Sequence, residues 1–275
     1  AITSLGKALE KRCKALDIER LFGVAHFENK KTVQITGEIV SVVKFRKAII
    51  ASGSQKRVNT AYPNAVQVED VYAAQFENKN ILIVGNTPSA IEVATFASSA
   101  NTVSIWLDGE FLPTFERSLV KFVQRKLAKC VSICSEPPSA SSYDIIVLAG
   151  HRQPHIDSLQ LENAGVDCID GVISTDDSCK TSNHKMYAVG ECAGCHHSAA
   201  LAIMQGRVAG EASSGLDAHV DSTFIPKVVW SSPEIAQVGT FDEENTVSIP
   251  WGNSGLAVAL SQQMGMTMLS YEKDS

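Results

Sequence analysis

Two cysteines and a histidine stand close enough together in this sequence to suggest redox or metal chemistry. Cys192-Ala-Gly-Cys195-His196 has the C-x-x-C-H spacing of covalent c-type haem attachment, and His197 adds another possible ligand. The same residues could form a redox dithiol or a zinc site, although four zinc ligands within six residues are crowded against the usual two separated pairs. The interpretation we favour is free thiols at the entrance to a helix.

A second candidate site is the glycine-containing turn Gly85-Asn-Thr-Pro-Ser-Ala90. A dinucleotide-binding turn needs small residues at three positions, for a tight bend, for approach of the backbone to pyrophosphate, and for close packing of helix on strand. Gly85 and Ala90 suit the first and third positions. At the second, the β-branched side chain of Thr87 is expected to project towards the phosphates, and Pro88 lacks an N–H. The turn therefore predicts a Rossmann-like unit that no longer binds NAD well, which we favour, or one with retained but weakened NAD binding.

The elements around this turn follow a β-α-β order. An apolar strand is predicted over residues 80–84, a helix over 90–99 and a second strand over 102–106, a unit of about 30 residues that is typical of a parallel nucleotide-binding sheet. Elsewhere the pattern predicts helices over 4–17, 115–129 and 199–213, and strands over 22–27, 32–35, 39–45, 48–51, 143–149 and 185–189.

The bulk properties limit the classes of function. A chain of 275 residues is long enough for two or three domains, and its net charge of −6 argues against a nucleic-acid partner. No apolar run reaches the roughly 20 residues that span a bilayer, and no signal peptide is visible at the start. The seven cysteines are odd in number and scattered, which predicts a reducing compartment, either the cytoplasm or the mitochondrial matrix.

Four segments together carry a family resemblance. They are Lys-Ala-Ile-Ile-Ala-Ser-Gly-Ser at 47–54, Ile-Leu-Ile-Val-Gly at 81–85, Tyr-Ala-Val-Gly-Glu at 187–191 and Ser-Pro-Glu-Ile-Ala-Gln-Val-Gly at 232–239. In this order they resemble the flavin-dependent pyridine nucleotide–disulfide oxidoreductases, closest to the dihydrolipoamide dehydrogenase branch. The resemblance extends from about residue 30 to about residue 240.

The resemblance implies an α/β fold with FAD/NAD(P)-binding Rossmann-like parallel sheets and a truncated α+β interface (dimerisation) domain. It places a partial FAD-type domain at 1–78, a NAD-type Rossmann domain at 79–180, a return to the FAD-type domain at 181–220, and the interface domain at 221–275. It also predicts homo- or hetero-oligomers formed through 221–275, alone or within a larger complex. In this region Trp230 and Trp251 would fill a core or an oligomer contact, and apolar surface around 247–269 predicts a bound partner or poor solubility.

The implied cofactors are FAD and NAD. Gly190-Glu191 matches the Gly-Asp pair that holds the flavin ribityl chain, with Glu in place of Asp. The family's acidic residue for the NAD ribose corresponds to Asp108, one step beyond Leu107, and its basic residues near the nucleotide correspond to His151 and Arg152. The resemblance implies no catalytic or metal-binding residue here. The predicted cofactor-binding residues are Gly53, Gly85, Thr87, Ala90, Glu92, Asp108, Gly150, Arg152, Gly190 and Glu191.

Several family features are not found in this sequence. They are the Gly-rich FAD turn, the redox Cys-x4-Cys pair and the acid/base His-x4-Glu pair, and a short loop at 135–142 replaces a small β excursion. The predicted function is a divergent or incomplete dihydrolipoamide dehydrogenase-like oxidoreductase that uses NADH, FAD and a disulfide, and the chain on its own is expected to be inactive. The alternative is a pseudoenzyme that acts as a scaffold or assembly subunit. A weaker third hypothesis is a redox or metal protein built on Cys192 and Cys195.

Overall fold

A computed structural model describes residues 2–56, 61–74, 76–107, 109–150, 152–194 and 198–271. The α-helices of these residues are α1 Ile2–Ala15, α2 Val68–Ala74, α3 Pro88–Ala97, α4 Arg117–Leu127, α5 Leu161–Ala164, α6 Ala199–Ser213 and α7 Gly255–Ala259. Their strands are β1 Val24–Asn29, β2 Thr32–Thr36, β3 Ser41–Lys44, β4 Ala48–Ile50, β5 Ser54–Gln55, β6 Val66–Gln67, β7 Asn80–Val84, β8 Thr102–Trp106, β9 Ser132–Cys134, β10 Ile145–Leu148, β11 Gln153–Pro154, β12 Cys168–Ile169, β13 Val172–Ile173, β14 Met186–Ala188, β15 Lys227–Val229, β16 Ile235–Gln237, β17 Thr246–Pro250 and β18 Met266–Ser270.

The chain divides into two compact units. The first unit comprises residues 1–53, 154–194 and 206–219, and the second comprises residues 54–153, 195–205 and 220–275. The domain boundaries predicted from the sequence differ from this division most clearly at residues 154–180, which belong to the first unit. Those boundaries remain a proposal.

A five-stranded parallel sheet forms the centre of the second unit. Its strand order is β6-β10-β7-β8-β9. Because α3 connects the parallel neighbours β7 and β8, the predicted β-α-β unit is confirmed. Ile81 and Ile83 of β7 are fully buried in the same apolar cluster as Ile91 of α3. Burial on both faces explains why the strand is a continuous apolar run and does not alternate.

The first unit contains less sheet. Strands β1, β2 and β3 form an antiparallel meander, and β4 pairs in parallel with β14. Its core surrounds Phe27, Ile50 and Met186, all buried, and the rings of Phe27 and Phe45 meet edge to face with centroids 6.0 Å apart. The parallel pair β4–β14 positions the loops that follow both strands.

Two hairpins follow in the second unit. Strand β15 pairs with β16, and Val229 and Ile235 of this pair belong to the apolar cluster around the parallel sheet. Strand β17 pairs with β18, and this hairpin carries large apolar side chains on its surface. Among the described residues, no helix is both long enough and apolar enough to cross a membrane.

Candidate functional site

The tight turn after β7 depends on Gly85. Its φ is +144°, in a region that side-chain-bearing residues rarely adopt, and a Cβ built there would lie 2.6 Å from the carbonyl carbon and oxygen of Ala149. Ala149 directly follows β10, the neighbour of β7 in the sheet. The glycine is therefore required by the approach of the protein's own backbone, in addition to any role near a nucleotide.

Thr87 behaves differently from the sequence expectation. It is 4% exposed, and its hydroxyl donates to the Ala149 carbonyl oxygen at 2.5 Å and accepts the Ala90 N–H at 3.3 Å. The side chain is thus turned into the protein as the N-cap of α3, and the expectation that it projects towards phosphates was wrong. The physical reason is that a buried hydroxyl is more stable with two internal hydrogen bonds than without partners.

This cap limits what the start of α3 can offer an anion. Phosphate sites at helix N-termini use backbone N–H groups that no other acceptor occupies. Pro88, the first residue of the helix, has no N–H, and the N–H of Ala90 is engaged by Thr87. Ala90 itself is fully buried, which agrees with the packing role of the third small residue. The turn keeps the dinucleotide-binding geometry at Gly85 and Ala90 and fits pyrophosphate poorly between them.

Glu92 contributes to a structural contact within the second unit. Its carboxylate accepts the backbone N–H of Trp230 at 2.9 Å, which joins α3 to the segment that follows β15. Burial, and then the charge of Glu92, raise the pKa of Tyr72, whose ring lies 4.9 Å from that of Phe96. Leu107 packs against the apolar cluster of the sheet, whereas Asp108 and His151 lie outside the described residues.

Arg152 and Gly150 lie just beyond the carboxyl end of β10. The Arg152 guanidinium donates to the Ser54 hydroxyl at 2.7 Å and to Glu69 at 3.0 Å. Gly150 contributes backbone to the crowding around Gly85, because its nitrogen would lie 2.8 Å from a Cβ at that position. Both residues therefore support the local structure of the second unit, and their contact with nucleotide stays a prediction.

The loops after β4 and β14 lie at one edge of the parallel pair in the first unit. The N–H of Val189 donates to the carbonyl of Ile50 at 2.9 Å, so the two strands end side by side. Beyond the strands, Gly190, with a φ of +76°, is the first residue of a short 3-10 helix, Gly190–Ala193. Glu191 is the second residue of this helix and is half-buried. The carboxyl ends of parallel strands are where such folds bind ligands.

Ser52 is the residue at this edge that the sequence reasoning did not single out. Its hydroxyl oxygen is buried and has no hydrogen-bond partner among the described residues. Gly53 follows at a φ of +68°, with its carbonyl accepting the N–H of His155 at 3.0 Å. A buried polar atom without a partner calls for one from outside the chain. The signal in the sequence was Ser52 itself, the polar residue that directly follows the apolar strand predicted over 48–51.

The Cys192 thiol lies in the apolar core of the first unit and not on an exposed surface. Cys192 is fully buried in the core of the first unit, and its sulfur donates to the Val189 carbonyl at 3.2 Å. Cys195, His196 and His197 lie outside the described residues. Within the part of the chain that the structure describes, no group of three or more His, Cys, Asp or Glu residues could hold a metal ion. The burial of Cys192 supports the interpretation of a free, structural thiol.

Comparisons with known proteins agree with this architecture. The family described as pyridine nucleotide-disulphide oxidoreductase matches residues 135–207. Dihydrolipoyl dehydrogenase of Bacillus subtilis (strain 168) is 27% identical over 299 aligned residues, which cover 95% of this chain and 64% of that protein. The same enzyme of Geobacillus stearothermophilus is 26% identical over 311 residues, covering 99% of this chain and 66% of the relative. The chain thus spans just under two thirds of the length of these relatives.

Solved structures show the same fold. LpdA from Mycobacterium tuberculosis superposes with a TM-score of 0.86 at 16% identity, covering 98% of this chain and 69% of that one. The HOCl-induced flavoprotein disulfide reductase RclA from Escherichia coli gives a TM-score of 0.80 at 19% identity, covering 94% of this chain and 68% of that one. The predicted α/β class is confirmed by this likeness. With the matching segments in order along the chain, the resemblance stated from the sequence is confirmed: the chain is similar to the pyridine nucleotide–disulphide oxidoreductases.

Proposed function

We propose that this chain is part of a divergent dihydrolipoyl dehydrogenase-like flavoprotein that binds pyridine nucleotide weakly. The observation that carries the proposal is the pair of hydrogen bonds made by the Thr87 hydroxyl. Both bonds are to the protein's own backbone, so the middle position of the nucleotide turn holds a buried side chain where a dinucleotide-binding turn has glycine. The named relatives support the wider class of reaction, electron transfer between NAD and a dithiol or disulfide.

The loops after β4 and β14, which carry Ser52, Gly190 and Glu191, fit a cofactor better than the NAD-type turn does. We call these loops the candidate cofactor edge. The partnerless hydroxyl of Ser52, with Gly190 and Glu191 at the end of the neighbouring strand, supports a ligand that carries hydroxyl or phosphate groups. A bound flavin would supply two-electron redox chemistry. Ser52 would hydrogen-bond it, and the Glu191 carboxylate would accept hydrogen bonds from its hydroxyl groups. Glu has one methylene more than Asp, so this contact would be rearranged relative to the family.

The residues of the NAD-type turn fit their cofactor only in part. Gly85 and Ala90 retain the required shape, whereas Thr87 and Pro88 remove hydrogen-bonding capacity from the helix N-terminus. Such a turn could serve a protein that keeps the fold without using NAD. This observation favours the second candidate function, a catalytically inactive scaffold or assembly subunit, in which Thr87 and Glu92 have only structural roles.

Flavin binding separates the two candidates. We expect the full-length protein, purified and equilibrated with FAD, to retain the cofactor and to show a flavin absorption spectrum. A Ser52→Ala variant should bind FAD up to about tenfold more weakly, because one hydrogen bond contributes about 0.5–1.5 kcal/mol. Ser139→Ala, a change at an exposed hydroxyl, is the matched control and should bind like the wild type. A protein that is colourless after equilibration with excess FAD and removal of the unbound cofactor would favour the scaffold.

We further propose that the 221–275 region mediates oligomerisation. Several large apolar side chains are exposed in this region, and exposed apolar surface of this kind marks protein interfaces; we call these residues the apolar patch. Members of this patch are Val247, Ile249, Leu256, Leu260, Met264 and Leu269. The partner is a second copy or another subunit of a larger complex.

Light scattering tests this interface. We expect the wild type to be oligomeric. In the double variant Leu256→Ser/Leu260→Ser, the dissociation constant of the oligomer should be roughly a hundredfold higher than in the wild type. Each exposed leucine that becomes buried contributes about 1.5 kcal/mol, or about tenfold in affinity. Leu5→Ser/Leu9→Ser changes two equally exposed leucines on α1 and should leave the mass unchanged. A monomeric wild type at all concentrations would refute self-association through this region and would leave a different subunit as its partner.

A further inference from the structure

Three separate segments of the first unit bring basic side chains together. The carbonyl of Lys31 accepts the N–H of Phe45 at 3.0 Å, and the carbonyl of Lys185 accepts the N–H of Ala48 at 3.0 Å. These bonds place the β1–β2 turn, the segment between β3 and β4, and the residues before β14 next to one another. We call the resulting group the basic cluster. Its members are Lys31, Lys47 and Lys185, and Lys30 and Arg46 are their neighbours in sequence.

The charges of this cluster act on one another. Loss of solvent, followed by the positive charges of Lys31 and Lys47, lowers the pKa of Lys185. Lys47 is also held in place, because its ammonium donates to the His184 carbonyl at 3.1 Å and lies 5.6 Å from the ring centroid of Tyr187. The cluster is therefore a persistent concentration of positive charge, maintained by backbone pairing.

Within the described residues, no carboxylate lies within 4.0 Å of a charged group of the basic cluster. This is unexpected in a chain whose net charge is −6, where acidic side chains are in excess. Other cations are paired, such as Arg152 with Glu69 and Arg207 with Glu211. The repulsion among the clustered lysines is thus left uncompensated by the chain itself, and an acidic partner would relieve it.

The cluster is distinct from the candidate cofactor edge. Lys47 and Lys185 immediately precede β4 and β14, whereas Ser52 and Glu191 follow the same two strands. Because the strands are parallel, the cluster lies at their amino ends and the cofactor edge at their carboxyl ends. This separation allows a bound partner at the cluster without occupying the proposed flavin site.

We propose that the basic cluster docks an acidic segment of a partner protein. Its ammonium groups stand on exposed turns and strand ends, a geometry that suits an extended row of carboxylates better than one small anion held in a cavity. A nucleic-acid duplex carries one phosphate charge per roughly 1.7 Å, and the few basic side chains of this cluster would neutralise only a small part of such an array, which disfavours nucleic acid as the occupant. The surface therefore belongs to the class that gives electrostatic steering and specificity between proteins.

The test uses the full-length protein and fluorescently labelled poly-L-glutamate as the probe at low ionic strength. We expect saturable binding that weakens as salt rises, and a loss of roughly five- to tenfold in affinity in the double variant Lys31→Glu/Lys185→Glu. Lys11→Glu/Lys14→Glu makes the same change in net charge on α1 and is the control, with an expected loss below about twofold. Thermal melts establish that both variants are folded.

Two results would overturn the proposal. One is an equal loss of binding in the two charge-reversal variants, which would show a response to net charge alone. The other is tighter binding of a short DNA duplex than of poly-L-glutamate, which would assign the cluster to nucleic acid. Loss of binding confined to the Lys31/Lys185 variant, with DNA the weaker ligand, would support the acidic protein partner.

Discussion

Replacing Gly85 with alanine is expected to lower the free energy of unfolding by about 3 kcal/mol or more. The new methyl group would lie 2.6 Å from the carbonyl atoms of Ala149, and the residue would have to hold a φ of +144°. Both penalties act on backbone that cannot move without parting β7 from β10. Urea unfolding followed by circular dichroism measures the change.

Gly206→Ala is the matched control for this prediction. Gly206 lies within α6, and a Cβ built there meets no atom within 4 Å. Alanine at that position should stabilise the protein by about 0.5–1 kcal/mol, because glycine weakens a helix interior. The two glycine variants should thus differ in opposite directions from the wild type. If they unfold at the same urea concentration, the close approach of Gly85 to Ala149 is wrong.

A Thr87→Gly variant is expected to bind NADH about tenfold more tightly than the wild type. Removing the side chain lets the backbone approach pyrophosphate, as the second glycine of a dinucleotide turn does, while the Ala90 N–H keeps its hydrogen bond to the backbone carbonyl of residue 87 at 3.0 Å. The gain corresponds to about 1.4 kcal/mol of binding energy. The same change should destabilise the fold by about 1–2 kcal/mol, because the buried carbonyl of Ala149 loses its hydroxyl donor.

Thr87→Ser provides the control, since it keeps the capping hydroxyl and removes only the methyl group. It should resemble the wild type in both NADH affinity and stability. Isothermal titration calorimetry measures the affinity, and thermal unfolding measures the stability. If the Thr87→Gly variant binds NADH as weakly as the wild type does, the Thr87 cap does not limit nucleotide binding. Other residues of the turn would then be responsible for the weak affinity.

The sequence was sufficient to identify the local elements around this site. The strands predicted over 80–84 and 102–106 have those same bounds in the structure, because short apolar runs buried on both faces have sharp ends. The helix predicted over 90–99 begins two residues earlier, at Pro88. Thr followed by Pro is itself an N-cap and N1 signal, so this start could have been predicted.

The site could not be predicted in the same way, because it depends on contacts between residues far apart in sequence. The hydroxyl of Thr87 finds its acceptor 62 residues later, and the carboxylate of Glu92 finds its donor 138 residues later. The partnerless hydroxyl of Ser52 is likewise a property of the packed loop and not of its motif. Periodicity and spacing describe neighbours along the chain, whereas these interactions are decided by which strands lie side by side.

The most direct test of a nucleotide turn closed by Thr87 is a calorimetric titration of the full-length wild-type protein with NADH. We predict no saturable binding below about 1 mM, the upper end of ordinary KM values of enzymes for their substrates. A dissociation constant in the low micromolar range would contradict it. Such a value would show that the start of α3 accepts pyrophosphate despite the Thr87 cap.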